Sequence, residues 1–159
     1  MLTADRLREV LDYDPDTGFF TWRVSNGRRA IKGHEAGFIH AKGYRRIKID
    51  GRLYEAHRLA FLYVTGEWPE HGVDHRDMDP SNNAWGNLRP ATPSQNAANS
   101  IRAGRDLPKG VTHVRGGYQA KISARGEAIY LGTYATPSAA HGVYAAAARD
   151  LHGEFARVA

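Results

Sequence analysis

The 159-residue chain contains no cysteine. Disulfides and thiolate zinc sites are therefore excluded, and any bound metal must use oxygen or imidazole ligands; oxygen ligation favours a hard ion such as Mg²⁺. No apolar run approaches the ~18 residues of a membrane span, so no membrane partner is expected. The opening MLTADRLREVL lacks the apolar stretch of a secretory signal, which predicts a cytoplasmic setting. Acidic residues are in deficit, with 17 Asp and Glu against 22 Lys and Arg and a net charge of +5. The imbalance is uneven: residues 101–159 hold 8 basic against 4 acidic side chains, whereas residues 1–100 hold 14 against 13. A polyanionic partner is implied, and the C-terminal part is the better candidate for clamping its phosphates.

What is present predicts two small units. Thr3 is placed to cap a first helix whose apolar stripe is Leu7, Val10 and Leu11. Asp14 to Gly18 (DPDTG) is turn chemistry before a strand over Phe19 to Val24, and SNGRRAIKG then reads as a mobile basic loop. Tyr44 to Ile49 and Leu53 to Ala56 form a hairpin about Asp50-Gly51. His57 to Val64 reads as a helix with Ala60, Phe61 and Val64 on one face, stopped by Gly66. Residues 101–108 read as a linker with Gly104 and Pro108 as breakers. Three strands follow, Gly110 to Val114, Tyr118 to Ser123 and Ala128 to Tyr134, with turns at Gly116-Gly117 and Arg125-Gly126. Thr136 and Pro137 then start a helix whose face is Ala140, Val143, Tyr144, Ala147, Ala148 and Leu151.

The chemistry concentrates in VDHRDMDPSNNAWGNLRPATPSQNAANS, Val73 to Ser100. Val73 to His75 reads as a strand, Arg76 to Gly86 as a polar loop and Leu88 to Ala91 as a second strand. Thr92, Pro93 and Gln95 make a capping box that opens a helix, with Asn96 at its second turn. This is the order of a ββα metal site. Phosphodiester hydrolysis needs a deprotonated water and a cation to hold the charge that builds on phosphate and leaving oxygen. His75 is the candidate general base, because an imidazole's ordinary pKa of ~6.5 leaves it largely neutral near pH 7. Asp74 and Asn96 would each give one oxygen to Mg²⁺, with Mn²⁺ as a substitute. Asn87 joins the catalytic set by bracing the loop and aiming His75. Adjacent strand residues point to opposite faces, so Asp74 and His75 can act together only at a strand end or bulge.

At these residues a resemblance becomes specific. The spacing of Asp74-His75, Asn87 and Asn96, with the lead-in GYRRIKIDGRLYEAHRLAFLYVTGEWP, resembles the HNH homing endonucleases of phage and bacterial genomes. The resemblance implies an α+β fold with a ββα-metal (His-Me finger) core over residues 1–100 and its motif at 73–100. It further implies Mg²⁺ dependence and cleavage of double-stranded DNA to 3′-hydroxyl and 5′-phosphate ends, by nicking or by cutting both strands. Residues 109–159 resemble the ethylene-response-factor (APETALA-type) DNA-binding domain, which implies a three-stranded antiparallel sheet packed on one helix. Carried onto this chain, its DNA face is Thr112, His113, Arg115, Lys121, Ser123, Arg125 and Tyr130, and Arg76 and Arg89 are further DNA-binding candidates. Thr112, Ser123 and Ala128 stand where that family is usually basic, which favours backbone contact over base readout.

Other readings stay open. A lone Asp-His pair is more often a turn or surface pair than a dyad, and only the fitting Asn87 and Asn96 turn the balance. The chain could be a non-catalytic DNA-binding protein with a degenerate nuclease core, which the intact Asp74, His75 and Asn96 oppose, or an RNA-binding or RNA-processing protein. His57 is either a second active-site group or, the favoured reading, a structural residue. Trp22, Trp68 and Trp85 read as core anchors rather than base-stacking platforms. Asp77 and Asp79 read as loop-shaping residues. The oligomeric state is left open, with a monomer favoured.

Overall fold

A computed structural model of the chain describes residues 1–25, 27–99, 106–124 and 126–158. It divides into two compact units, Met1–Pro90 and Ala91–Ala159. The division falls earlier than the boundary expected near Ser100, which lies outside the described residues, as do residues 101–105 of the expected linker, Asn26 of the basic loop and Arg125.

In the first unit Thr3 Oγ1 accepts from the Arg6 amide at 3.2 Å and opens α1 (Ala4–Val10). Leu11 was expected on the helix stripe. Its backbone is extended, and it begins β1 (Leu11–Tyr13), which pairs antiparallel with β2 (Phe20–Trp22). The side chain still reaches the core, so burial is kept while the backbone state changes. Asp14 Oδ1 accepts from the amides of Asp16 and Thr17 in the turn between these strands. Gly18 closes that turn at φ +76, and a Cβ there would strike the backbone of Asn83 and Ala84.

β3 (Phe38–Ile39), β4 (Arg45–Ile49) and β5 (Arg52–Glu55) form an antiparallel sheet in that order. Asp50 (φ 46) and Gly51 (φ 82) make the β4–β5 turn, the two successive left-handed residues that a type I′ hairpin demands. α2 (Ala56–Thr65) ends at Gly66 (φ 84), whose amide donates to Leu62 O. Its buried residues are Ala56, His57, Leu59, Ala60 and Leu62, whereas Val64 is exposed and Phe61 half-buried. The expected face is therefore rotated, because α2 packs against α1 on one side and β4 and β5 on another. β6 (Gly72–His75) and β7 (Leu88–Ala91) pair as a two-stranded sheet. Leu7, Leu11, Phe20, Ile47, Leu59 and Leu62 are the large side chains at the centre, each contributing about 1.5–3 kcal/mol by leaving water. Trp22 joins this core, Trp68 stacks on Tyr54 and donates to Leu2 O at 3.0 Å, and Trp85 packs on Phe61.

The second unit opens with α3 (Pro93–Asn99). Thr92 Oγ1 accepts from the Gln95 amide at 3.3 Å while the Thr92 amide donates back to Gln95 Oε1 at 2.8 Å, a complete capping box. β8 (Val111–Val114), β9 (Gly117–Ala124) and β10 (Glu127–Tyr134) form an antiparallel sheet in the order β10-β9-β8. α4 (Pro137–His152), capped by Thr136, packs on it through Ala140 against Val111 and Ala120, and through Tyr144 and Ala148 against Ile122. Of the expected helix face, Leu151 is exposed, while Ala145 is buried instead.

Candidate active site

The segment from β6 to β7 carries the candidate chemistry. Val73, Asp74 and His75 are all buried, so both faces of β6 are covered and its neighbouring side chains enter different surroundings. Asp74 meets Arg89 of β7, whose Nε and Nη2 lie 2.9 and 2.8 Å from Oδ2. The pair is interior, with side chains 10% and 6% exposed. Arg89 was expected to contact DNA; burial and its pairing with Asp74 make it instead the counter-ion that orients the candidate ligand. Strand spacing alone could not show this, because the two residues stand fifteen positions apart.

His75 is the last residue of β6, the strand-end position that the sequence demanded. Its Nε2 lies 3.4 Å from Asn83 Oδ1. Its ring centroid lies 5.0 Å from that of His57, edge to face, and 6.0 Å from that of Tyr44. Tyr44 and His57 are themselves 5.4 Å apart, so the three rings form one cluster. Burial, then the neighbouring His75 and Arg58 charges, lower the His57 pKa to about 3, so this imidazole is neutral near pH 7.

The loop after His75 is tied together by side-chain amides and carboxylates. Asn87 Oδ1 accepts from the Asp77 amide at 3.0 Å, and Nδ2 donates to Asp77 Oδ1 and to Asn82 O, both at 2.9 Å. Asn82 Nδ2 donates to Asp77 Oδ2 at 2.7 Å, and Asp79 Oδ1 accepts from the amide and hydroxyl of Ser81. Burial pushes the Asp77 carboxyl up, but bonds from Asn82, the Asp79 amide and Asn87 outweigh it and hold it below the usual range. Outside the loop, Tyr13 Oη donates to Asn83 O at 2.7 Å and the Trp85 amide donates to Pro15 O at 2.8 Å. Gly43 (φ +85) lies so close to Pro80 that a Cβ would clash. The DPDTG turn and the hairpin lead-in thus serve the loop, a role that local sequence pattern did not reveal. Arg76 is exposed at the loop start, its amide donating to Asn87 O.

In the second unit Asn96 is half-buried at the second turn of α3, its amide donating to Thr92 O. On the sheet, register sorts the proposed DNA contacts. Tyr118, Ala120 and Ile122 point to α4, so alternation turns Lys121 and Ser123 outward, together with their partners Tyr130 and Ala128 and with Thr112 opposite Gln119. Lys121, Ser123, Thr112 and Tyr130 are all exposed. His113 pairs with Tyr118, ring centroids 5.3 Å apart, and so stands on the opposite face from Thr112. Arg115 is exposed beside the β8–β9 turn.

Among the described residues no three His, Asp or Glu side chains group as a metal cluster. The donor types nonetheless fit a hard divalent cation, as a carboxylate oriented by a buried guanidinium and a carboxamide are the oxygen ligands such ions take, with waters and phosphate oxygens completing the shell.

Residues 54–98 match the family model of the HNH endonucleases, a segment that contains His57, Asp74, His75, Asn87 and Asn96. The chain is also similar to a solved structure described as DNA binding and cleavage by the HNH homing endonuclease I-HmuI. That similarity has 28% identity over 57% of this chain and 51% of the other, with a TM-score of 0.43. The chain spans about half the length of that relative. No curated protein matches. No helix among the described residues is long and apolar enough to cross a membrane.

Proposed function

We propose that the chain is a metal-dependent endonuclease of the HNH type acting on double-stranded DNA. The observation that carries this reading is the joint placement of Asp74 and His75 at the buried end of β6, inside the segment matched by the HNH model. His75 acts as general base: its imidazole takes a proton from the attacking water, whose oxygen bonds to phosphorus as the bond to the leaving 3′ oxygen breaks. The products are a 5′-phosphate and a 3′-hydroxyl. Asn87 fixes the loop that follows His75, and so fixes the direction from which the base approaches. Asp74 and Asn96 hold a divalent cation, Mg²⁺ or Mn²⁺, which when bound supplies charge stabilisation at the scissile phosphate and the leaving oxygen. One protein ligand is charged and Arg89 already balances that charge, so cation affinity is low without DNA. The outward face of β8 to β10, with the resemblance to the ethylene-response-factor domain behind it, grips the duplex through Thr112, Lys121, Ser123 and Tyr130, and Arg76 and Arg115 add phosphate contacts.

The test is cleavage of supercoiled plasmid with Mg²⁺, in parallel with RNA of matched length. Wild type should nick or linearise the plasmid, EDTA should stop it, and His75→Ala should be inert while binding DNA with near wild-type affinity. Cleavage confined to RNA, or a fully active His75→Ala variant, would overturn the assignment.

A further inference from the structure

We propose that His57 is a positioning residue for His75, retained as an imidazole for its unpaired Nδ1 as well as for its shape. The inference rests on the nuclease reading above. His57 is 5% exposed, and its ring lies edge to face with His75, centroids 5.0 Å apart. Nε2 lies 3.5 Å from Glu55 Oε2, which draws the ring's one proton to that side. Nδ1 is then a lone pair, and it is buried with no hydrogen-bond partner among the described residues.

Such an atom is costly, because burial strips its water and nothing replaces it. A phenyl ring would pack beside Tyr44 equally well and would carry no polar atom to desolvate. Stability alone therefore selects against histidine here. An acceptor that lacks a donor in the free protein, on a ring packed against the proposed base, is suited to a water that enters as substrate seats against His75. Its service is to fix the plane and hydrogen bonding of His75 at that moment, without itself touching DNA.

The experiment compares wild type, His57→Phe, His57→Gln and His57→Ala on plasmid DNA with Mg²⁺, measuring kcat, KM and Tm for each. His57→Phe keeps the packed ring and deletes the lone pair. It should hold or raise Tm, leave KM within twofold and lower kcat at least tenfold. His57→Gln, which returns an acceptor, should recover part of that loss even if its Tm is lower. The imidazole signals of His75, followed by NMR, should shift in His57→Phe while those of His34 and His40 stay in place. The inference is overturned if His57→Phe turns over within twofold of wild type, or if kcat merely tracks Tm across the three variants as a packing role requires. An inert wild type would take down the nuclease reading and this inference together; an active wild type with an equally active His57→Phe takes down this inference alone.

Discussion

Replacing Arg89 with methionine removes the guanidinium that bonds Asp74 Oδ2 through two nitrogens, at 2.9 and 2.8 Å, and leaves a carboxylate whose side chain is only 10% exposed. Breaking a buried pair by removing one partner costs about 3–5 kcal/mol, because the remaining charge stays desolvated. That is a large share of the about 5–15 kcal/mol that holds an ordinary domain together. With a urea slope of about 1–3 kcal/mol per molar, the unfolding midpoint should fall by at least about 1 M. Replacing both partners, Asp74→Leu with Arg89→Met, should recover much of that loss, since no charge is then stranded. DNA affinity supplies a second arm. If Arg89 neutralised a phosphate, its loss would flatten the dependence of log affinity on log salt by about 0.9; an interior Arg89 predicts an unchanged slope under conditions where the variant is folded. A midpoint shift corresponding to less than about 1 kcal/mol, or a slope reduced by about one counterion, would refute the assignment of Arg89 to the interior pair.

Asn87→Asp deletes two donated bonds and sets a second carboxylate beside Asp77, so at pH 7 it should destabilise more than Asn87→Ala, and the difference should shrink as pH falls through and below the ordinary carboxylate range, Asp77 protonating last because its hydrogen bonds hold it low; thermal unfolding across pH checks this. His57 has its folded pKa depressed from 6.5 to about 3, so the stability that its neutral burial implies is complete above about pH 6.5 and is lost as pH falls toward 3. Denaturant titrations from pH 7 to 4 should show that loss, and His57→Phe should show less of it. Lys121→Ala, on the outward face of the sheet, should lower DNA affinity about equally for all sequences and reduce the salt slope by about one, read by fluorescence anisotropy. An unchanged slope would remove Lys121 from the DNA contact.

Local rules decided what was legible in the sequence. The Thr3 and Thr136 caps, the capping box at Thr92 and Gln95, and the Asp50-Gly51 turn are each set by residues within four positions of one another, and each stands in the structure as read. The β6–loop–β7 order around Asp74, His75 and Asn87 was readable for the same reason, and the loop-shaping part of Asp77 and Asp79 followed from ordinary turn chemistry. What escaped was decided by partners distant in sequence. Arg89 carries the same charge whether it meets a phosphate or Asp74, and only the pairing of β6 with β7 chooses between them. For His57 the sequence left an active-site and a structural role open, and only the fold sets its ring against His75. His113 was grouped with Thr112 through the ethylene-response-factor resemblance, whereas the strand period puts them on opposite faces. Leu11 fitted both the helical stripe and the strand that replaced it, because burial is common to the two.

Anomalous diffraction from crystals of His75→Ala bound to uncleaved duplex DNA and Mn²⁺ tests the proposed sharing of one cation by Asp74 and Asn96. One Mn²⁺ should appear with a carboxylate oxygen of Asp74, Oδ1 of Asn96 and a phosphate oxygen all within direct ligand distance, about 2.0–2.3 Å. Manganese bound elsewhere, or an Asp74 that stays with Arg89 while Asn96 takes no part in the ion's shell, would contradict it.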